Sequence, residues 1–369
     1  MLYYLAEYLK PFFGPARLLQ SHALLLAGGT FFAAILTWFL LPRLWEKLPQ
    51  DRGKPILSDL GGLKSAGKPT GTGLIVTLLA LPVIVLFVPF AFWDAMCVVG
   101  FYAAMLSGYL DDRAMIPWGE GKKLAFDIVV SFAVAAFIFC GHSEPISGMC
   151  GRRMIAWLPF WKELVYIPFW LYIPFAGMII LFTLNATNCS DGVDGLAGTL
   201  TVTTLVMLAV ILYVVVGYRP VAHYFLIPVY AEAARWAVLT MTVAGAFGGY
   251  LWFNAEPSKI LMGDAGSRFL GVLVATASLM TGNPLLVIAL SPIVLVNGGG
   301  GLVKLLLLRA AKKIGLQIDD DNVLKKVRFP LHDHCKKNLG WSNAQVLMRF
   351  MLLQLIVMPI LLILLIKVR

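Results

Sequence analysis

Charge is what this sequence lacks. Only 14% of its 369 residues are Asp, Glu, Lys or Arg, against 59% that are hydrophobic, and the mean hydropathy is +0.81. A soluble domain carries roughly a quarter of its residues as charges, so a water-soluble fold is excluded and a polytopic membrane protein is indicated. Acids are the scarcer sign, 20 against 30 Lys and Arg, which leaves a net charge of +10. That excess raises nucleic-acid binding as a function, but the cations fall between apolar runs and no recognisable nucleic-acid module accompanies them. Anionic lipid and phosphate substrates explain them better. The five cysteines, Cys97, Cys140, Cys150, Cys189 and Cys335, are odd in number and scattered. They make no disulfide framework. A cleaved signal is not expected, because the first apolar run is too long for a signal core and no small-residue cleavage site follows it.

Near-continuous apolar stretches of membrane-crossing length, roughly 17 to 25 residues, predict an all-α chain of about ten transmembrane helices. They fall near 21–41, 73–90, 95–110, 124–140, 167–184, 196–216, 236–253, 267–280, 285–308 and 346–366. The third and eighth are short. Ahead of them, Leu2, Leu5, Tyr8 and Leu9 recur at helical spacing, which suits either a short interfacial helix or an ordinary leading tail. Residues 1–369 read as one integral-membrane unit.

Loop charge orients the chain, since Lys and Arg in short loops mark the cytoplasmic side. The loops after the first, third, fifth, seventh and ninth spans carry about twice as many as the tails and the alternate loops. That side is expected to be cytoplasmic, with both termini outside. The unusual polar clusters, chosen for their chemistry alone, fall on the same side. They are Lys64, Lys68 and PTGTG (69–73) with Thr70; Asp111, Asp112, Lys122 and Lys123; NATNCSDGVDG (185–195); MGDAGS (262–267); and His332, Asp333 and His334 amid Lys325, Lys326, Arg328, Lys336 and Lys337. A single cleft at the cytoplasmic face would collect all five.

Each cluster implies a chemistry. Asp111 and Asp112 are adjacent at a span end, and neighbouring helical residues diverge by about 100°. They therefore take different roles, one as a general base or holding a phosphate-bound metal and the other placing a Lys or a backbone group. Asn188, Asp191 and Asp194 stand three apart, so a helical turn would set them on one face to read a sugar and a base edge or to help ligate Mg²⁺. Asp264, between glycines and just before a span, suits a metal-bound carboxylate that admits a diphosphate. His332 and His334, among cations, suit phosphate as protonated or hydrogen-bonding imidazoles. With Asp333 and Cys335 they lack zinc spacing. Asp127, Lys304 and Arg349 lie inside spans, facing neighbouring helices or snorkelling.

At these residues the chain resembles the phospho-N-acetylmuramoyl-pentapeptide transferase family, within the polyprenyl-phosphate N-acetylhexosamine-1-phosphate transferases. MLYYLAEYL at the start, the DD pair at Asp111, NATNCSDGVDGLAG, WFNAEPSKILMGDAGS and PLHDHCKKNLGW all resemble family segments, in the family's order and over nearly the whole length. The stretch MIAWLPFWKELVYIP (154–168) resembles the family's extracytoplasmic hairpin. The resemblance implies transfer of phospho-N-acetylmuramoyl-pentapeptide from its UDP conjugate to undecaprenyl phosphate, giving lipid I and UMP, with Mg²⁺ as cofactor, at the bacterial inner membrane. By the same resemblance Asp264 is the Mg²⁺ carboxylate, Asp111 a base on the lipid phosphate and Asp112 its essential neighbour. His332 and His334 are the outer members of a three-histidine motif. Asn188 and Asp191 line the nucleotide site, joined by Asp194 and Thr70 as substrate-binding positions, and Lys68 and Lys123 are cations near the cleft. A homodimer is compatible with this reading.

The sequence departs from the family pattern at several points. Asp333 stands where the middle histidine is usual, PTGTG replaces PTMGG, and Leu261 occupies the place of an aromatic that stacks on uracil. Met115 replaces a Lys after the DD pair. Asn297, at the head of a glycine run ending at Gly301, replaces a Glu; the run suits either a helix break that opens a lipid groove or close helix packing. Two other functions share features with this reading. One is a sister transferase for N-acetylglucosamine-1-phosphate. The other is a secondary transporter, against which stand the position of the polar groups at span ends and the lack of an internal repeat.

Overall fold

The computed structural model describes residues 1–51, 66–114, 118–147, 150–314 and 326–367, so Lys64, Met115 and Lys325 lie outside the described residues. The chain is a helical bundle, as the apolar runs require. We number the helices α1 (Leu2–Leu9), α2 (His22–Leu44), α3 (Thr72–Phe87), α4 (Phe92–Arg113), α5 (Glu120–His142), α6 (Phe169–Cys189), α7 (Leu196–Val210), α8 (Arg219–Tyr224), α9 (Ala233–Asn254) and α10 (Gly263–Leu279). After them come α11 (Leu286–Leu290), α12 (Pro292–Val294), α13 (Gly300–Lys313), α14 (Leu331–Leu339) and α15 (Asn343–Lys367). Eight helical segments among the described residues are long and apolar enough to cross a membrane. Each of the ten expected stretches contains helix; the two with no counterpart among those eight are α3, 16 residues long, and α10, 17 residues long.

The mixed composition of α10 has a physical cause. From Ala265 to Leu279 every residue is buried, because α3, α4, α5, α6, α7 and α9 pack round it. A helix that faces protein on all sides need not be as apolar as one facing lipid, and α10 carries Arg268, Ser267, Thr276 and Ser278 inside its length. The ninth expected span is corrected. Rather than one helix over 285–308, the chain breaks at Ser291 between α11 and α12, where Pro292 has no N–H to continue the ladder, and the spanning segment is Pro292–Lys313. Within it Leu295–Gly299 forms a π-helical turn. The glycine run serves close packing: a Cβ on Gly298 would overlap the Ala186 carbonyl of α6, and one on Gly300 would overlap the Phe329 ring.

Between apolar helices in lipid there is little hydrophobic drive, so small residues and close contact hold the bundle. On α2 the buried positions Leu25, Gly29, Ala33, Thr37 and Leu41 recur every fourth residue. This stripe faces α9, where Gly245 and Gly249 lie against the carbonyls of Thr30 and Ala34. The expected hairpin is a three-stranded antiparallel sheet, β1 (Glu144–Pro145), β2 (Arg152–Ala156) and β3 (Val165–Pro168), with Met154 opposite Ile167. Trp157 pins it to the C-terminal end of α10, its indole donating to the Thr281 carbonyl at 2.8 Å. At the same end of the bundle α1 is a formed helix; the Met1 ammonium donates to Val85 at 2.9 Å and Tyr4 Oη to the Phe90 carbonyl. The other end, where α4, α6 and α9 finish and α3, α5, α7 and α10 begin, gathers the polar clusters. Replacing Gly249→Val puts a branched side chain into the Ala34 carbonyl. Overpacking of this kind costs about 1–3 kcal/mol, so thermal unfolding in detergent should show a clear loss; an unchanged midpoint would mean that α2 and α9 do not meet there.

Candidate active site

The site begins with three helix ends in backbone contact. A Cβ on Gly108 of α4 would overlap the Asp264 carbonyl, and one on Gly73 of α3 would overlap the Gly266 amide. Gly71 and Gly263, at φ 73° and 71°, both sit in the left-handed region that residues with a side chain avoid. Their backbones touch each other and the Asp112 carboxylate. Asp112 is thereby held at the N-terminus of α10, facing the backbone N–H groups of Asp264 and Ala265. Free amide groups and the helix dipole favour an anion there. Its Oδ2 is nevertheless buried with no hydrogen-bond partner.

Asp111 points elsewhere, as an adjacent helical residue must. Its carboxylate pairs with Lys123 of α5 and accepts the Trp118 backbone N–H at 2.7 Å. Asp264, in the first turn of α10, keeps 30% of its side chain exposed, with Arg268 Nη2 3.8 Å from its Oδ2. Arg268 is buried and donates to Asp127 Oδ1 at 2.7 Å, so the intra-span Asp127 faces a neighbouring helix. Lys304 likewise caps the Val327 carbonyl at 2.8 Å, and Arg349 lies over the Trp341 ring.

The segment after α6 is the hub. Asn188 Nδ2 donates to Ser267 Oγ at 3.0 Å, joining α6 to α10. The helix ends at Cys189, so the expected single face for Asn188, Asp191 and Asp194 is not formed. Asp191 stays one turn from Asn188, its N–H on the Asn188 carbonyl at 3.2 Å. Asp194 instead turns to Lys68, 3.5 Å away, and to the Ser258 N–H at 3.4 Å, while Lys68 also donates to Ser258 Oγ at 2.8 Å. Asn254, at the end of α9, fixes this turn by accepting from Gly195 N–H at 2.9 Å and donating to Ile260 at 2.7 Å. Thr70 and Leu261 lie on a backbone ladder beside it: Leu261 N–H donates to Pro69, and Thr72 N–H to Leu261 at 3.1 Å.

The fifth stretch enters through His332, only 2% exposed. Its backbone N–H donates to Asn297 Oδ1 at 2.9 Å, and Nδ1 lies 3.1 Å from the same oxygen. Because a backbone N–H only donates, that Asn atom is an acceptor and Nδ1 carries the proton. Nε2 then presents a lone pair, packed over Gly192 and 3.5 Å from Asp333. Burial pulls the imidazole down from the ordinary 6.5 to about 4; the nearby Asp333 opposes this and Lys336 adds to it. His332 is thus neutral near pH 7, which leaves the hydrogen-bonding imidazole, of the two forms expected, at this position. His334, two residues along the helix, faces away and accepts the Arg328 N–H at 3.3 Å.

Residues from all five clusters therefore meet at one end of the bundle. Sequence reasoning missed Arg268, Ser258 and Asn254 as site members and held Ser267 only as the last residue of MGDAGS. The signal for the first was present, an Arg four residues after Asp264 inside an apolar run. Among the described residues no three or more His, Cys, Asp or Glu side chains are grouped to hold a metal by themselves. The unpartnered Asp112 Oδ2 beside the half-open Asp264 is a hard-oxygen donor set. It fits a cation such as Mg²⁺, which takes one or two carboxylates and fills its shell with water and substrate phosphates.

Comparison with known proteins follows the same lines. A family model described as Glycosyl transferase family 4 matches residues 93–282, the stretch that carries the acid cluster and the hub. The phospho-N-acetylmuramoyl-pentapeptide-transferase of Treponema pallidum (strain Nichols) is 41% identical over 349 residues, covering 94% of this chain and 91% of the relative. Proteins of that name from Borreliella burgdorferi (strain ZS7) and Methylacidiphilum infernorum are 29% and 27% identical, over 92% and 96% of this chain and 95% and 97% of their own. The chain belongs to glycosyl transferase family 4, a class that its polytopic helices and acid-lined site suit. Within that class it is a member of the phospho-N-acetylmuramoyl-pentapeptide-transferase family.

The His332 geometry has a pH consequence. A folded-state value near 4 against 6.5 means that the unfolded chain binds the extra proton first, so stability falls as pH drops from 6.5 towards 4. His332→Gln should flatten that part of the stability profile, measured by thermal unfolding between pH 7 and pH 4.5. A slope equal to that of the unsubstituted protein would mean that His332 is not buried neutral.

Proposed function

We propose that this protein transfers phospho-N-acetylmuramoyl-pentapeptide from UDP to undecaprenyl phosphate, releasing UMP and leaving lipid I in the membrane. The observation that carries the reading is the Asp112–Asp264 pair at the N-terminus of α10, with Arg268 behind Asp264 and, at the same end of the bundle, Lys123 on Asp111 and Lys68 on Asp194. A lipid-phosphate oxygen attacks the β-phosphorus, the bond from that phosphorus to the bridging oxygen breaks, and its electron pair leaves on UMP. One pyrophosphate link replaces another, so catalysis is chiefly positioning and charge neutralisation. Held by Asp264 and Asp112, Mg²⁺ would neutralise the diphosphate.

The residues divide the remaining work. Asp111 has its carboxylate engaged by Lys123 and Trp118, so it fixes the Lys123 ammonium towards the phosphates. Asp112 has the unspent acceptor oxygen and takes the role nearer the reacting groups. Asn188, tied to Ser267, and Asp191 are offered to the nucleotide. Lys68, braced by Asp194 and Ser258, supplies a second cation. Neutral His332 accepts rather than donates charge, and with Gly192 it shapes the wall below the hub. His334 contributes to the basic rim.

The end of the bundle that holds these groups also carries the Lys- and Arg-rich loops, which supports a cytoplasmic orientation in a bacterial inner membrane. The water-soluble nucleotide then enters from the cytosol and the lipid from between helices. UMP release in the presence of undecaprenyl phosphate tests the reading. It should proceed with UDP-N-acetylmuramoyl-pentapeptide and fall at least about 100-fold with UDP-N-acetylglucosamine, a discrimination that needs several dedicated polar contacts. Release with UDP-N-acetylglucosamine alone would assign the chain to the sister activity.

A further inference from the structure

We propose that Arg268 is a positioning residue, an internal counter-cation that Asp127 holds behind Asp264 and that sets how much Mg²⁺ is needed to fill the cleft. The inference rests on the reading of Asp112 and Asp264 as the cation-holding pair.

The geometry is directional. Arg268 Nη1 donates to Asp127 Oδ1 of α5 at 2.7 Å and reaches Ser107 Oγ of α4 at 3.4 Å. Those contacts hold the guanidinium from the side away from the cleft. Nη2 is left 3.8 Å from Asp264 Oδ2, too far for a hydrogen bond but close enough for charge attraction, screened on the side where Asp264 is 30% exposed. Nε is buried with no hydrogen-bond partner. Arg268 and Asp127 are 3% and 2% exposed at their side chains, within a bundle where ionisable groups are costly and usually functional.

A purely structural role explains this poorly. Replacing a buried ion pair by apolar side chains of similar size is often neutral or stabilising, so packing alone does not call for the pair. The cations nearby are otherwise engaged, Lys123 with Asp111 and Lys68 with Asp194. Arg268 is the cation placed between two carboxylates, one inside the bundle and one in the cleft. Each carboxylate competes for it. When Asp127 holds it, Asp264 is open to an incoming cation; when Asp264 holds it, the guanidinium stands in for that cation.

This predicts opposite effects from two substitutions. Asp127→Asn leaves Asp264 as the one carboxylate, among the described residues, within 4.0 Å of Arg268, so Mg²⁺ binding weakens. Asp127→Leu with Arg268→Met removes the competitor altogether, so binding tightens. The readout is thermal stabilisation of the detergent-solubilised full chain by Mg²⁺ alone, without substrates. Relative to the unsubstituted protein, the Mg²⁺ concentration for half the shift should rise at least about fivefold in the first variant and fall at least about fivefold in the second, whereas Arg268→Lys, which keeps the charge, should stay closer to the unsubstituted value than either. Midpoints within twofold in both directions, or shifts of the same sign, would overturn the proposal. If the double variant does not fold, the Asp127→Asn result decides by its direction. Asp264→Ala separates the two levels: a retained Mg²⁺ response would remove the underlying reading, whereas a lost response with unmoved midpoints in the other variants would remove the role of Arg268 alone.

Discussion

Backbone contact between the ends of α3, α4 and α10 is the constraint on which the rest of the site depends. Gly71, Gly73, Gly108, Gly263 and Gly266 let three helix ends approach to backbone contact. In lipid such contact is itself a source of stability, because dispersion and polar contacts hold helices together where apolar burial contributes little. Its chemical result is a carboxylate, Asp112, trapped at a helix N-terminus with one oxygen unsatisfied. Leaving a buried acceptor unpaired costs about 1–3 kcal/mol. The amide groups at the start of α10 offset part of that, and a bound cation would supply the remainder.

From that contact the site spreads by short polar links. Asn188 ties α6 to α10 through Ser267, Asp194 ties the hub to Lys68, and Gly192 carries the hub onto His332. These links bring together segments far apart in sequence, so each polar group holds a neighbour in place while remaining near the cleft. Paired charges dominate: Lys123 with Asp111, Lys68 with Asp194, Arg268 with Asp127. A diphosphate substrate is highly charged, and cations fixed in advance by carboxylates lose little freedom when it arrives.

Much of this was legible in the sequence because its physics is local. Long apolar runs give helices whatever their partners, and polar residues at span ends stand out against them. The divergence of Asp111 from Asp112 follows from helix geometry alone, and the structure realises it as two sets of partners. What escaped is tertiary. Nothing in the run around Ser291 distinguishes a broken helix from a continuous one except Pro292, which helices accept at a first turn. Past the end of α6 at Cys189, Asn254 and Ser258 from elsewhere in the chain hold Gly195 and Asp194, so a periodicity of three among Asn188, Asp191 and Asp194 suggested one face where two are formed. The neutral state of His332 depends on burial against Gly192 and Asn297, which no count of neighbouring lysines reveals. Arg268 showed in the sequence as a charge inside an apolar run, but its pairing with Asp127 of α5 is tertiary.

The central claim is that Asp112 and Asp264 act as one unit because the helix ends force them together. A double-mutant cycle on UMP release, with Asp112→Asn, Asp264→Asn and the two combined, tests it most directly. Each single change should lower turnover on the order of 10²-fold or more, and the combination should be less than about tenfold worse than the more damaging single change, as residues that work jointly are strongly non-additive. Losses that multiply would show two independent carboxylates and contradict the account.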